Sequence, residues 1–332
     1  MLETSSLDTL KGKKNLLAFS GGIDSTALFF LLLKHNIKFD IAIVNYHIRV
    51  QSQDEVKYAK ELASRHDLKC YTLDAPKIEK NFEAKAREIR YDFFEDIISS
   101  NNYDNLITAH HLGDRFEWML MQFCKGAGCA EIAGMLKEQN RGYYTLIRPL
   151  LHLEKQELLN YLDKYKIKYF VDESNLNKEI KRNSFRHNYS APLLDKYLSG
   201  IKKSFDYIDE DRKNLIPEII IKSVGDFTYF KSSNNKRADI FAIDKHLKSK
   251  LHMASASERE LLKSEKTVIL GRKFLVNQEH GYVFIIPYRD ENSTMSKEFK
   301  EECRVLKIEP KIRGFLYHNK EIFLKVKELL ST

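Results

Sequence analysis

Short apolar runs alternate with longer, polar-studded stretches through the first 150 residues. The runs at 15–20, 40–46 (DIAIVNY), 69–74 (KCYTLD) and 105–109 (NLITA), with a weaker one near 144–148, have strand length. Between them, 24–35, 53–66, 82–100 and 113–124 have helix length and spacing. Strand–helix alternation of this kind predicts an α/β fold, a doubly wound parallel sheet with helices on both faces. In such sheets a ligand sits beyond the carboxyl ends of the strands. A Gly-Gly turn, Asn45-Tyr46, Asp74 and His110-His111 all fall at those ends. A helix, Glu154 to Lys166, follows Arg148-Pro149-Leu150. Beyond Leu198 the rhythm changes. A charged helix (200–213) leads into β-rich sequence, EIIIKSV, DFTYFKS and RKFLVNQEHGYVFIIP, the last with the pattern of a hairpin. The expected division is 1–199, a ligand-binding catalytic domain, and 200–332, a basic region holding a small mixed α+β domain.

The Gly-Gly turn carries the most chemistry. Leu16 to Phe19 reads as a buried strand, Ser20-Gly21-Gly22-Ile23-Asp24-Ser25 as a turn, and Ala27 to Leu33 as a helix. Gly21 and Gly22 can take positive φ and bring backbone N–H groups close to an anion. The helix N-terminus adds unpaired N–H groups and a positive dipole end. Ser20, Ser25 and Thr26 supply hydroxyls. Asp24 would repel phosphate unless it holds Mg²⁺, which bridges to phosphate oxygens. The competing reading is a plain turn with Asp24 or Ser25 as helix cap. No Gly-Lys-Ser/Thr occurs in this loop, and the spacing is not that of a dinucleotide fingerprint.

Three further constellations stand out. Arg87 and Arg90 share a helical face and can clamp phosphate, or form a solvated face with Glu83 and Glu88 as partners. Asp114 and Glu117 share the first turn of a helix. There they satisfy the helix dipole, or form an acidic spot for a metal or an ammonium group. Lys181-Arg182-Asn183-Ser184-Phe185-Arg186 interleaves charge with an aromatic ring, which suits RNA or the cap of the next helix.

Composition narrows the setting. Hydrophobic content of 43% with 31% charged residues predicts a soluble globular protein. No apolar run reaches membrane-span length, and Met1 to Lys14 does not read as a secretory signal. Four cysteines (Cys70, Cys124, Cys129, Cys303) fit reduced thiols and a cytoplasmic location. The formal net charge of +8 is uneven. Residues 1–195 hold 28 Lys+Arg and 27 Asp+Glu, whereas 196–332 hold 27 and 20. A basic appendage on a neutral domain points to a polyanionic partner.

Ser20-Gly-Gly-Ile-Asp24-Ser25 resembles the phosphate loop of the PP-loop ATP pyrophosphatases, which cleave ATP between its α and β phosphates. With its other motifs, the chain resembles the tRNA(Ile)-lysidine synthetases from about Asn15 to Leu194. The matching segments are Arg49 with Ser52, Glu83 to Tyr91, His110-His111 with Asp114 and Glu117, and Lys125 to Gly128. Arg148-Pro149-Leu150 also matches, as does Asp172-x-Ser174-Asn175 with Arg182-Asn183-x-x-Arg186. Gly113, Arg115 and Trp118 stand where the family commonly has Asp, Gln and Thr.

The resemblance implies a ligase. ATP adenylates C2 of the wobble cytidine of isoleucine tRNA with a CAU anticodon. Free L-lysine then attacks, giving lysidine and AUA decoding. It also implies the roles. Ser20, Gly21, Gly22, Ile23, Asp24 and Ser25 bind ATP, with Mg²⁺ on Asp24. Asp24, Arg87, Asp114 and Glu117 are catalytic, and Asp114 and Glu117 hold lysine. Arg90, Arg182, Asn183 and Arg186 contact tRNA. No membrane partner is expected, and the assembly is left open, a homodimer included. Two alternatives remain at this point: a PP-loop tRNA thiolase making 2-thiocytidine, for which Cys124 and Cys129 are a poor pair, and a non-catalytic RNA-binding PP-loop protein.

Overall fold

A computed structural model describes residues 1–48, 51–171, 181–289 and 294–330, Lys181 by its backbone alone. Arg49, Asp172, Ser174 and Asn175 therefore lie outside the described residues. The chain forms two compact units, Met1–Asp209 and Glu210–Thr332.

The first unit runs α1 (Thr4–Leu10), β1 (Asn15–Ala18), α2 (Ile23–Lys34), β2 (Asp40–Asn45), α3 (Ser52–Arg65), β3 (Cys70–Asp74), α4 (Phe82–Asn101) and β4 (Asn105–Ile107). It continues with α5 (Leu112–Phe123), α6 (Cys129–Ile132), β5 (Glu138–Asn140), β6 (Thr145–Ile147), α7 (Lys155–Lys164) and α8 (Lys181–Phe185). A π-helical turn (Arg186–Ser190) then leads into α9 (Ala191–Leu215). The sheet order is β3-β2-β1-β4-β6-β5. All pairings are parallel except β5 with β6, which is antiparallel.

Strand periodicity builds the two cores. Leu17, Ile41, Ile43, Ile107 and Ile147 join one cluster with α2, α3 and α7 residues such as Leu28, Leu62 and Leu158. Their neighbours Leu16, Ala42, Leu106 and Leu146 join the other, with Phe94, Ile97 and Ile98 of α4. Successive strand residues point to opposite faces, so strands apolar at every position need cover on both sides. The carboxyl ends of β1, β2, β3 and β4 then deliver the glycine turn, Asn45, Asp74 and His110-His111 to one edge.

A buried arginine ties α5 to α9. Arg115 donates to the carbonyl of Ala133 through Nε (3.2 Å) and Nη2 (3.0 Å), and to Asp209 through Nη1 (2.9 Å) and Nη2 (2.6 Å). Its guanidinium stacks 4.2 Å from the Phe205 ring centroid. Arg115→Met is expected to destabilise the protein by about 3 kcal/mol, the low end for breaking a buried pair because Asp209 keeps some water. Urea unfolding measures this, and an unchanged midpoint would contradict it.

The second unit holds β7 (Lys222–Val224), β8 (Phe227–Lys231), α10 (Lys236–Ser249), α11 (Ala256–Ser264), β9 (Thr267–Leu270), β10 (Phe274–Glu279), β11 (Tyr282–Pro287), α12 (Lys297–Val305), α13 (Pro310–His318) and α14 (Lys320–Leu330). Its antiparallel sheet has the order β7-β8-β11-β10-β9. Phe227, Phe284 and Ile286 pack against α12 to α14, and Phe230, Val283 and Ile285 against α10 and α11. The strand read from EIIIKSV shortens to Lys222–Val224, while Ile219 and Ile221 pack on the core from outside the strand.

Candidate active site

The turn after β1 has the shape and the backbone and hydroxyl donors that could cradle a phosphate. Gly21 sits at φ +75°, and a Cβ there would lie 3.3 Å from Phe170 Cδ2 and 3.6 Å from Glu55 Cβ. Only glycine suits both constraints. Gly22 departs from expectation: at φ −74°, ψ 171° it is extended and forms the N-cap of α2. Its N–H donates to Ser20 Oγ at 3.4 Å, and its φ does not demand a glycine. The Phe170 N–H donates to the Gly21 carbonyl at 2.9 Å, pinning the loop. Ser25 Oγ accepts from the Ser20 N–H (3.2 Å), contacts Ser20 Oγ (3.1 Å) and donates to the Gly22 carbonyl (3.2 Å). Thr26 is fully buried, so its hydroxyl is not offered to a ligand as the sequence reading had it.

Asp24 opens α2 beside this cradle. Its Oδ1 is buried without a hydrogen-bond partner among the described residues. Oδ2 lies 3.9 Å from His111 Nε2. Burial pushes the carboxyl above the ordinary aspartate range, and nearby Asp114 adds to this while His111 opposes it. An orphaned carboxylate oxygen at a phosphate cradle fits a divalent cation, and one carboxylate plus phosphate oxygens is an ordinary Mg²⁺ set. Among the described residues no group of three or more His, Cys, Asp or Glu side chains forms a protein-only metal cage.

The loop from β4 into α5 supplies the opposite wall. His111 is the N-cap: its Nδ1 accepts from the Gly113 N–H (3.0 Å), and its own N–H donates to Asp114 Oδ2 (3.0 Å). Because Nδ1 accepts, the neutral ring carries its proton on Nε2. That atom lies 3.6 Å from Asp114 Oδ2 and 3.9 Å from Asp24 Oδ2, between the two walls. Gly113 makes this ring position available, since a Cβ there would fall 2.7 Å from His111 Cε1. Gly113→Ala is expected to expel the ring and cost about 1 kcal/mol of cap energy. Activity should fall with it, and a crystal structure with the ring in place would contradict this. His110 is buried, and burial, with Arg148, Arg182 and Arg87 nearby, lowers its pKa to about 3, so it stays neutral.

Asp114 and Glu117 do share a face, and the structure brings Arg182 and Arg186 onto them. Arg182 donates from Nη2 to Asp114 Oδ1 (2.8 Å) and from Nε to Glu117 Oε1. Arg186 donates from Nη2 to Asp114 Oδ1 (3.3 Å) and from Nε to Glu117 Oε2 (2.9 Å). Burial raises the Asp114 carboxyl, but His111, Arg182 and the hydrogen bond from the His111 N–H outweigh it and hold it well below the usual carboxylate range. Asn183 is buried in α8 between the two arginines in sequence. By residue type and spacing these arginines suit RNA or the cap of the next helix, and the resemblance implies tRNA contact; the structure shows them paired with Asp114 and Glu117. Their i, i+4 separation, matched to the i, i+3 acids, was the available signal for an internal clamp.

Arg87 and Arg90 are exposed on α4. Arg87 stacks 4.5 Å from the Tyr91 ring centroid, and its charge reaches His110. Glu88 pairs with Lys85 at 3.9 Å. Tyr46 donates to the Ala86 carbonyl (2.8 Å), fixing α4 to the end of β2. His47, which sequence reasoning gave no role, bridges to Asp74 through Nε2 at 2.9 Å.

The glycine turn at the end of β1, with Asp24 at the mouth of α2, belongs to a PP-loop domain, whose family model matches residues 3–192. Similarity extends further along the chain. The tRNA(Ile)-lysidine synthase of Helicobacter pylori is 43% identical over 94% of this chain and 91% of its own length. Those of Campylobacter jejuni and Wolinella succinogenes are each 42% identical, over 95% and 93% of this chain and 95% and 94% of their own lengths. The chain belongs to the tRNA(Ile)-lysidine synthase family, and as such is an ATP-dependent ligase. A solved U34-tRNA thiolase from Methanococcus maripaludis shares the fold, with TM-score 0.52 and 18% identity over 64% of this chain and 76% of its own. The thiolase alternative rests on that likeness of fold alone; Cys124 is exposed, Cys129 half-buried, and both are free thiols. No helix among the described residues is long and apolar enough to cross a membrane.

Proposed function

We propose that the protein joins L-lysine to C2 of the wobble cytidine of CAU-anticodon isoleucine tRNA, with ATP activating the C2 oxygen. One observation carries the assignment of roles: the buried acid pair Asp114–Glu117 reaches the phosphate cradle through one side chain, His111, whose Nε2 is under 4 Å from both Asp114 and Asp24.

The chemistry follows from leaving groups. A carbonyl oxygen leaves poorly, whereas AMP leaves well. The C2 oxygen attacks the α-phosphate, pyrophosphate departs, the lysine ε-amine adds at C2, and AMP departs carrying that oxygen. The Ser20–Ser25 backbone and hydroxyls hold the triphosphate, and Asp24 would hold Mg²⁺, which neutralises charge developing on pyrophosphate. Arg87 and Arg90 stand on the neighbouring helix, free on their solvent side for phosphate or RNA. Asp114, held strongly acidic, is the charge partner of the incoming ammonium. Glu117 takes the proton that the amine must lose.

The tRNA spans more than this site. The excess of Lys and Arg in 196–332 supports RNA contact there. Lys297 and Lys300 are exposed beside Arg313 and an Arg304 that pairs with Glu301, giving one face a net positive charge. K297E with K300E is expected to weaken tRNA binding and flatten its salt dependence, by roughly one unit of log–log slope per lost phosphate contact. Titrations at several salt concentrations measure it, and an unchanged slope would exclude that face.

The whole reading is tested with purified protein, ATP, Mg²⁺, radiolabelled lysine and isoleucine tRNA transcript, with elongator methionine tRNA of the same anticodon as control. ATP-dependent label confined to the isoleucine transcript is expected. Pyrophosphate release without label would keep the ATP chemistry and reject lysine as nucleophile.

A further inference from the structure

The acid pair and the two arginines are stacked in depth. The side chains of Asp114 and Glu117 are 11% and 1% exposed, while Arg182 and Arg186 are 42% and 25% exposed. The carboxylates form the floor and the guanidinium groups the cover. Each guanidinium spans both acids, so four side chains close a charge-neutral cluster.

A neutral, fully paired cluster is a poor receptor for a cation. The arginines hold Asp114 Oδ1 and both Glu117 oxygens, and the His111 N–H holds Asp114 Oδ2, so a lysine ammonium must displace an arginine to reach Glu117. Departure of one guanidinium leaves two carboxylates against one cation, the net negative charge that an ammonium requires. Cover and substrate therefore compete for the same oxygens.

Two observations say what moves the cover. Arg186 holds Asp114 Oδ1 (3.3 Å), Asp114 Oδ2 lies 3.6 Å from His111 Nε2, and that atom lies 3.9 Å from Asp24, so the cover is linked to the mouth of α2 through Asp114 and His111. Guanidinium binds phosphate bidentately, so phosphate brought to Ser20–Ser25 offers it a second partner. Arg186 also opens the π-helical turn that ends at Ser190, whose hydroxyl donates to the Arg186 carbonyl at 3.3 Å. Such turns recur at functional sites.

We propose that Arg182 and Arg186 set the order of substrate binding: they occupy Asp114 and Glu117 as counter-ions until phosphate, from ATP or from the RNA backbone, draws a guanidinium away, and lysine enters only then. This rests on Asp114 and Glu117 being the lysine site. By reciprocity, lysine tightens the phosphate ligand by the same factor. An enzyme built this way keeps free lysine out of a pocket that has nothing to modify.

Equilibrium dialysis of radiolabelled L-lysine against the full-length wild-type protein tests it in four arms. These are protein alone, with a non-hydrolysable ATP analogue and Mg²⁺, with unmodified isoleucine tRNA transcript, and with both. Lysine affinity should rise at least about fivefold over protein alone in one of the single-ligand arms, and that arm names the phosphate source. Equal affinity in all four arms overturns the proposal without needing any variant. Arg186→Gln should bind lysine in the absence of both ligands with much of the affinity that wild type reaches only in their presence; dependence as strong as wild type overturns the role of Arg186. Asp114→Asn separates the two levels: if lysine binding with both ligands present survives that substitution, the lysine site itself is misassigned.

Discussion

Asp24→Asn is expected to lower ATP-dependent pyrophosphate release by about a thousandfold, the scale of losing one preorganised group that stabilises transition-state charge. The same substitution should leave the ligand-free protein as stable as wild type or more so. The reasoning is electrostatic. Oδ1 of Asp24 is buried without a partner among the described residues, and the carboxyl pKa is raised by burial. A raised folded-state value means the folded protein holds the proton more tightly than the unfolded chain. The ionised form therefore costs stability at neutral pH, and the cost fades as pH falls toward the unfolded carboxylate value. Melting curves without nucleotide should show a gap in favour of Asp24→Asn at pH 7 that narrows on acidification. A melting temperature several degrees below wild type would instead make Asp24 a structural residue.

Asp114→Asn and Glu117→Gln are expected to behave in the opposite way. Lysine incorporation should fall by about a thousandfold while lysine-independent pyrophosphate release persists, because the adenylating side of the site stays intact. Stability should fall too, by about 3 kcal/mol, since each change strands guanidinium groups on a buried partner. For Asp114 the sign is that of a depressed carboxyl. Its contribution is present above the unfolded value and is lost as pH drops through the folded one. Measured below the variants' melting range, the split between the two half-reactions is the diagnostic. Loss of both in parallel would mean the acid pair supports the fold of the whole site rather than the lysine step.

The parts of this site legible in the sequence are those set by local chemistry. Leu16 and Leu17 both had to be buried, which announced a sheet covered on two faces. Ser20 to Ser25 announced the cradle, because glycine, hydroxyls and a lone carboxylate have few other joint uses. What escaped depends on distant partners. The α1 helix buries Leu7 and Leu10, with Leu2 just ahead of it, too sparse a set to show a period. β5 is Glu-Gln-Asn, an edge strand defined by pairing with β6 and not by apolar residues. Gly22 resembled Gly21 in sequence, yet only Gly21 meets the Phe170 ring and takes positive φ. The charge pattern of Arg182 and Arg186 did not show that they meet Asp114 and Glu117, because that pairing depends on the packing of α8 against α5. His111 lay inside a recognised motif, but its place between Asp24 and Asp114 required the geometry of the cap.

The most direct measurement is the mass of the wobble nucleoside itself. Isoleucine tRNA incubated with the protein, ATP, Mg²⁺ and L-lysine is digested to nucleosides and analysed by mass spectrometry. The account predicts that the wobble cytidine gains one lysine less one water, that the gain needs both ATP and lysine, and that Asp24→Asn and Asp114→Asn abolish it. An unmodified cytidine, or one carrying sulfur in place of oxygen, would contradict it.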